Sequence, residues 1–167
     1  MKLYHGTYNE KIADILREGV LDNFKVDETT KEIDELIEKC IGLNLTENAL
    51  YLTNDIECTQ CAYDYEFTLE VGKDLDPNYL FVADNMSRDE ILCYYDDGEV
   101  GKDAVNRYRE SFISYDEYLK VKEEYDEKYF PEFLYFKEVD ITNHKEEAIN
   151  HLKEEELYDE ELGIFLA

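Results

Sequence analysis

Basic residues are scarce in this chain: 17 lysines and arginines stand against 43 aspartates and glutamates, a formal net charge of −26 over 167 residues. That deficit argues against phosphate backbones and anionic membranes as partners, and it favours rapid encounter with basic ones. Equally lacking is any apolar run near the roughly 18 residues that a membrane-spanning helix needs. No basic segment followed by an apolar block opens the chain, so no export signal is expected. The four cysteines then point to a reducing cytoplasm. Neither an internal repeat nor a low-complexity linker divides the sequence, and its length suits a single domain over 1–167. What is present is apolar enough for a core, with 44% hydrophobic and 14% aromatic residues, which excludes an acidic disordered chain.

The pattern along the chain alternates short strands with amphipathic helices. Lys2 to Thr7 reads as a strand that ends in His5, Gly6 and Thr7. Ile12, Ile15, Leu16 and Val20 then recur at helical spacing from Asn9, with Gly19 placed to end the helix. Thr29 and Glu32 form a capping box for a second helix striped by Ile33, Leu36, Ile37 and Cys40, closed by Gly42. Ala49 to Thr53 is a strand, and Asn54 and Asp55 can cap a helix from Ile56 to about Tyr65 that carries Thr59 and Tyr63. Glu66 to Val71 alternates as a strand does, and Leu80 to Ala83 is a further apolar strand. Ser87 is expected to cap a helix through Ile91, Leu92 and Tyr95. The stretch 96–129 is dense in charge and tyrosine, with helical spacing around Tyr115 and Tyr118. Pro131 stops the helix before it. Glu132 to Val139 gives the strongest strand pattern, and Asn143 with Glu146 caps a last helix through Ala148, Ile149 and Leu152.

His5 closes a strand, which holds its ring rigidly, and Gly6 lacks a Cβ, so a flat ligand can lie against its backbone. The same residues are also compatible with a plain strand-to-helix turn bearing a surface histidine. Cys58 and Cys61 share a helix face and could form a redox pair or half of a zinc site. Zinc needs four ligands, however, and no further cysteine or histidine has partner spacing, so these read as small buried thiols. His144 and His151 are expected at the surface of the last helix.

Taken in order, His-Gly-Thr at the end of a first strand, Tyr-Leu-Thr in a second, Thr59 and Tyr63 on the helix after it, the strand Glu70-Val71-Gly72, and Glu132 before a late aromatic strand resemble one family. They are similar to the diphtheria-toxin and poly(ADP-ribose) polymerase branch of the ADP-ribosyltransferases, whose catalytic triad is His-Tyr-Glu. The resemblance implies an α+β fold with a split, largely antiparallel sheet and flanking helices. It implies that His5 hydrogen-bonds a ribose hydroxyl of NAD, that Gly6 holds the nicotinamide carboxamide with Thr7 beside it, and that Tyr51 packs on the nicotinamide. Thr59 would also contact the carboxamide, Tyr63 would stack on the other side, and Glu132 would be the catalytic glutamate. Glu138 and Glu66 compete for that last role.

The activity so implied is transfer of ADP-ribose from NAD, as a substrate and with no metal, to a macromolecule, with release of nicotinamide. Charge directs the acceptor to a basic, nucleic-acid-handling protein rather than to free nucleic acid or a membrane. The segment 96–129 could form the acceptor loop. Size and acidity would suit a toxin or a weapon in phage–host conflict. Two readings stand beside this one: an NAD glycohydrolase on the same fold, with water as acceptor, and a non-enzymatic acidic inhibitor that mimics nucleic acid. A tRNA 2′-phosphotransferase, which leans on basic residues, is poorly served by this composition.

Overall fold

The computed structural model describes residues 1–22, 35, 49–94, 102–161 and 163–165. The second helix expected from the Thr29–Glu32 capping box, with Ile33 to Cys40 and Gly42, lies outside them apart from residue 35. The fold is α+β, and among the described residues every strand pair is antiparallel.

Strand β1 (Lys2–Thr7) pairs along its length with β4 (Tyr65–Glu70). A four-stranded sheet runs in the order β3 (Leu50–Leu52), β7 (Pro131–Tyr135), β5 (Leu80–Asp84), β6 (Ile113–Ser114). One bridge, Tyr4 to Thr53, joins the two sheets, so the sheet is split between β1 and β3. Two small ribbons complete the strands, β2 (Val20–Leu21) with β8 (Val139–Asp140) and β9 (Tyr158–Asp159) with β10 (Ile164–Phe165).

Period-two alternation makes β7 serve two cores. Phe133 and Tyr135 face one cluster with Leu52, Val82, Tyr115 and Tyr118, while Leu134 faces a second with Ala83, Ile91, Ala104 and Tyr108. Phe133 and Leu134 are both fully buried, and each such burial contributes about 1.5–3 kcal/mol. The second cluster is roofed by α3 (Asn85–Cys93) and α4 (Lys102–Ser111). The first is covered by α1 (Asn9–Glu18), α5 (Tyr115–Lys128) and α6 (Lys145–Glu154). Short α2 (Ile56–Ala62) sits beside β1 and buries only Thr59. Among the described residues no helix is long and apolar enough to cross a membrane.

Gly19 ends helix α1 after Glu18 as expected, adopting φ 76° and returning its N–H to Ile15. Several other local expectations need correction. Val20, expected in the α1 stripe, pairs in β2 instead. Helix α2 stops at Ala62, three residues early, and Tyr63 already has extended backbone. Ser87 is not the cap of α3. Asp84 is, and it accepts from both the Ser87 N–H and hydroxyl. The strand expected over Glu132–Val139 breaks at Tyr135, where the Phe136 N–H turns to the Tyr79 carbonyl, and Val139 joins β2 instead. Asn143 caps nothing: a 3-10 turn at Thr142–His144 leads into α6. Of the proposed acceptor loop, 102–128 is α4, β6 and α5, and 96–101 lies outside the described residues.

Two groups of side chains also depart from expectation. Cys58 and Cys61 are exposed free thiols rather than buried ones, since α2 turns them away from its one buried position. His144 and His151 are part-buried, not surface residues. His144 Nε2 meets Asp74 at 2.9 Å, and His151 Nε2 meets Asn9 at 2.7 Å while its ring lies on Tyr65. Among the described residues no cluster of histidine, cysteine and acids could hold a metal ion.

Candidate active site

The cleft forms where β1 and β3 part. The N–H of Tyr4 donates to the Thr53 carbonyl at 2.8 Å, and the N–H of Thr53 donates back at 3.0 Å. In an extended strand the backbone groups of alternate residues face the same edge, so the N–H and C=O of Gly6 also turn toward β3. Beyond the bridge that edge borders a cleft of about 530 Å³. His5, Gly6, Tyr51, Thr59, Tyr63 and Glu132 all line it. They come from β1, β3, α2, the end of α2 and β7, from positions up to 127 residues apart by subtraction of their numbers.

His5 is fixed from across the split. Its Nδ1 lies 3.0 Å from the Tyr51 carbonyl, which can only accept, so Nδ1 carries the proton. Burial holds the ring below its ordinary value of 6.5, opposed by that hydrogen bond. The imidazole is therefore neutral at pH 7, with Nε2 left as a hydrogen-bond acceptor. Tyr51 thus contributes twice, through its carbonyl to His5 and through its ring to the cleft.

The Tyr51 ring packs against the second core cluster and carries a cation beside it. The Arg88 guanidinium from α3 lies 4.5 Å from its centroid, a cation–π contact of about 0.5–2 kcal/mol. Glu132 shares a sheet face with Leu134, the partner of Tyr51 in the ladder, and its Oε2 is buried. The hydroxyl of Tyr63 is pushed above its usual range, first by burial and then by the Tyr8 and Glu132 charges, with Arg88 acting against them. Glu132 and Arg88 therefore both lie within electrostatic reach of Tyr63. Sequence reasoning missed Arg88, because one arginine in a charged helix reads as a solvated residue.

Tyr63 lies directly on Gly6. A Cβ built at Gly6 would come 2.1 Å from Tyr63 Cδ2, so the ring rests on bare backbone. Its outer side packs on Tyr8 at 5.1 Å, and both tyrosines are over two-fifths exposed. Thr59 is buried, and its hydroxyl donates to the Ile56 carbonyl at 2.8 Å, which leaves its oxygen free only to accept. Thr7 departs from expectation: although it shares a strand face with His5, it is buried and is not among the lining residues. Neither Glu66, which accepts from Gln60, nor exposed Glu138 lines the cleft.

Two further acids, Asp22 and Asp55, line the cleft, and its described lining contains no lysine or arginine. Asp55 accepts from the Cys58 thiol at 3.3 Å and pushes that thiol up from its ordinary value. Cys58 is thus a protonated thiol, unsuited to attack as a thiolate. Chemically, the cleft offers aromatic faces, an edge of free backbone amide, a neutral imidazole and carboxylates.

No family model, curated protein or solved structure matches the chain.

Proposed function

We propose that this protein is an NAD-dependent ADP-ribosyltransferase of the His-Tyr-Glu type, acting on a basic protein. The observation that carries this reading is the meeting of His5, Gly6, Tyr51, Tyr63 and Glu132 in one cleft from four distant stretches of sequence. In this reading the nicotinamide lies between Tyr51 and Tyr63, and its amide pairs with the backbone edge of Gly6. His5 Nε2 accepts from a ribose hydroxyl. The C1′–N bond breaks and its electron pair leaves with the ring, which quenches the pyridinium charge. Glu132 stabilises the positive charge that develops on the ribose, as a carboxylate does in glycoside cleavage. The acceptor then bonds to C1′ and gives up its proton.

The acids in the cleft fit the cationic pyridinium end of NAD and repel a phosphate chain. With no described lysine or arginine on the lining to meet the pyrophosphate, affinity rests on the nicotinamide half. The same acids favour a basic protein over a nucleic acid as acceptor.

The test uses the wild-type chain with NAD carrying a labelled ADP-ribose moiety, in lysate with and without nuclease and over a salt series. Nicotinamide release with label on protein, falling as salt rises, supports the reading. Release without label identifies the glycohydrolase. Label in nucleic acid overturns the acceptor, and no release with no thermal shift leaves the non-enzymatic acidic inhibitor as the better reading.

A further inference from the structure

Glu132 leaves the sheet at a place where the ladder is short of a donor. Pro131, which pairs with Asp84 in register, has no N–H to give. The tie is made one residue earlier by a side chain: the Phe130 N–H donates to Asp84 Oδ1 at 2.9 Å. The other backbone group of Phe130 is held too, since the Asn85 N–H donates to its carbonyl at 2.8 Å. Both hydrogen-bonding groups of the backbone two residues before Glu132 are thereby pinned.

Asp84 is fully buried, and its carboxylate is well compensated. Oδ2 accepts from the Ser87 hydroxyl at 2.5 Å and the Ser87 N–H at 3.2 Å, and Arg107 Nε stands 3.4 Å away. Its own N–H donates to Ser111 Oγ at 2.8 Å, and Ser111 in turn donates to the Tyr108 carbonyl. A buried carboxylate with charge-assisted bonds on both oxygens is expensive to displace, so it holds what it bonds. It ties the first turn of α3, the second core cluster and the start of β7 to one point.

We propose that Asp84 is the positioning residue for Glu132, fixing the backbone from which that carboxylate enters the cleft. This rests on the reading of Glu132 as the group that stabilises the transition state. A misplacement near 1 Å at such a group costs on the order of 10²-fold in rate, with little effect on ground-state binding. Asp84→Asn keeps the shape, but it loses the charge and turns an NH2 toward Ser87 or Phe130.

The experiment measures nicotinamide release by wild type and Asp84→Asn. It also records the Glu132 carboxyl carbon resonance in both proteins, labelled with 13C-glutamate and assigned through Glu132→Gln. The expected result is a kcat lower by about 10- to 100-fold with KM for NAD changed far less, and a shifted Glu132 resonance. A variant with a lower melting temperature but unaltered kcat and an unshifted Glu132 signal would make Asp84 a structural residue only and overturn the inference. If wild type releases no nicotinamide, the proposed activity falls, while the Glu132 resonance still decides the positioning role. Should Asp84→Asn fail to fold, hydrogen exchange on the wild type decides. The Phe130 amide must then be protected like the amides of β7, and exchange at the rate of an exposed amide would sink the proposal.

Discussion

Replacing Gly6 by alanine tests the contact on which the cleft's geometry turns. The new Cβ would stand 2.1 Å from Tyr63 Cδ2, 2.6 Å from Cγ and 2.7 Å from Cε2, so something must shift. Backbone torsion is not the obstacle, because Gly6 is not among the glycines with positive φ, which among the described residues are Gly19, Gly72 and Gly163. The conflict is with one ring, 41% exposed, that can swing outward. Doing so gives up its cover on β1 and its contact with Tyr8, worth about 0.5–1.5 kcal/mol beyond buried area. With residual crowding the loss comes to about 1–3 kcal/mol, or roughly 2–10 °C in Tm for a chain of this size.

The sign should reverse once the ring is gone. In a Tyr63→Ala background the three nearest obstacles to the added methyl are gone, and the lost freedom of the unfolded glycine should stabilise the fold by about 0.4–1 kcal/mol. A double-mutant cycle read by urea or thermal unfolding should therefore give a coupling well above the 0.3–0.5 kcal/mol scatter of independent sites. Equal destabilisation by Gly6→Ala in both backgrounds would refute the placement of Tyr63 on Gly6. The proposed seat of the nicotinamide amide would go with it.

Three further outcomes follow from the site. Glu132→Gln should fold and bind NAD as wild type does, yet lose about 10²–10⁴-fold in the rate of nicotinamide release, measured by chromatography. Tyr51→Ala should weaken NAD binding by calorimetry about 2- to 10-fold through the lost stacking face, and retention of full affinity would exclude Tyr51 from the site. His5 carries a proton less readily when folded than its ordinary 6.5 allows, so the unfolded chain binds more protons below that value. Its contribution is present above 6.5 and is lost as pH falls through the lowered folded value. The stability difference between wild type and His5→Asn should accordingly narrow or invert on acidification, and a pH-independent difference would show that the ring is not buried neutral.

The strands and helices that carry the site were legible because each rests on a local signal. Periodicity marked α1, Asp55 marked α2, and alternation marked β4. Boundaries failed where a distant group intervened. β7 ends at Tyr135 because Phe136 turns to Tyr79, and α3 starts at Asn85 because Asp84 bonds forward to Ser87 and across to Phe130. The histidines of the last helix find partners 70 and 142 residues away, which no local pattern announces. Among site residues, His5 and Gly6 stood out by their chemistry at a strand end, whereas Tyr51 and Glu132 were picked out only by the order of motifs. Thr7 was included for its adjacency, and it is buried off the lining even though it shares a strand face with His5. Arg88 and Asp84 carried no signal at all, since an arginine and an aspartate in so acidic a chain are ordinary.

The cleft has one fixed wall and one that can yield, and ligand entry should show the difference. Tyr51 is held on three counts: its backbone in the ladder with Leu134, its carbonyl by His5, and its outer ring face by Arg88 at 4.5 Å. Tyr63 follows the last residue of a helix of seven residues, and its ring is held by Gly6 beneath and by Tyr8, itself 47% exposed, beside it. A planar ligand that settles on the Gly6 edge between the two rings therefore moves Tyr63 more readily than Tyr51, and Tyr8 shifts with its neighbour when it does. Adding nicotinamide to protein with 13C-labelled tyrosine rings should move the Tyr63 and Tyr8 resonances together. Tyr51 should then show only the ring-current shift of a new neighbour, with its hydrogen-exchange protection unchanged. Tyr8 is the more discriminating probe, because it lies outside the cleft lining and packs on Tyr63. Nicotinamide that perturbs Tyr51 and leaves Tyr63 and Tyr8 at their free positions would mean that the ligand never reaches Gly6, and the binding mode built on that glycine would have to be abandoned.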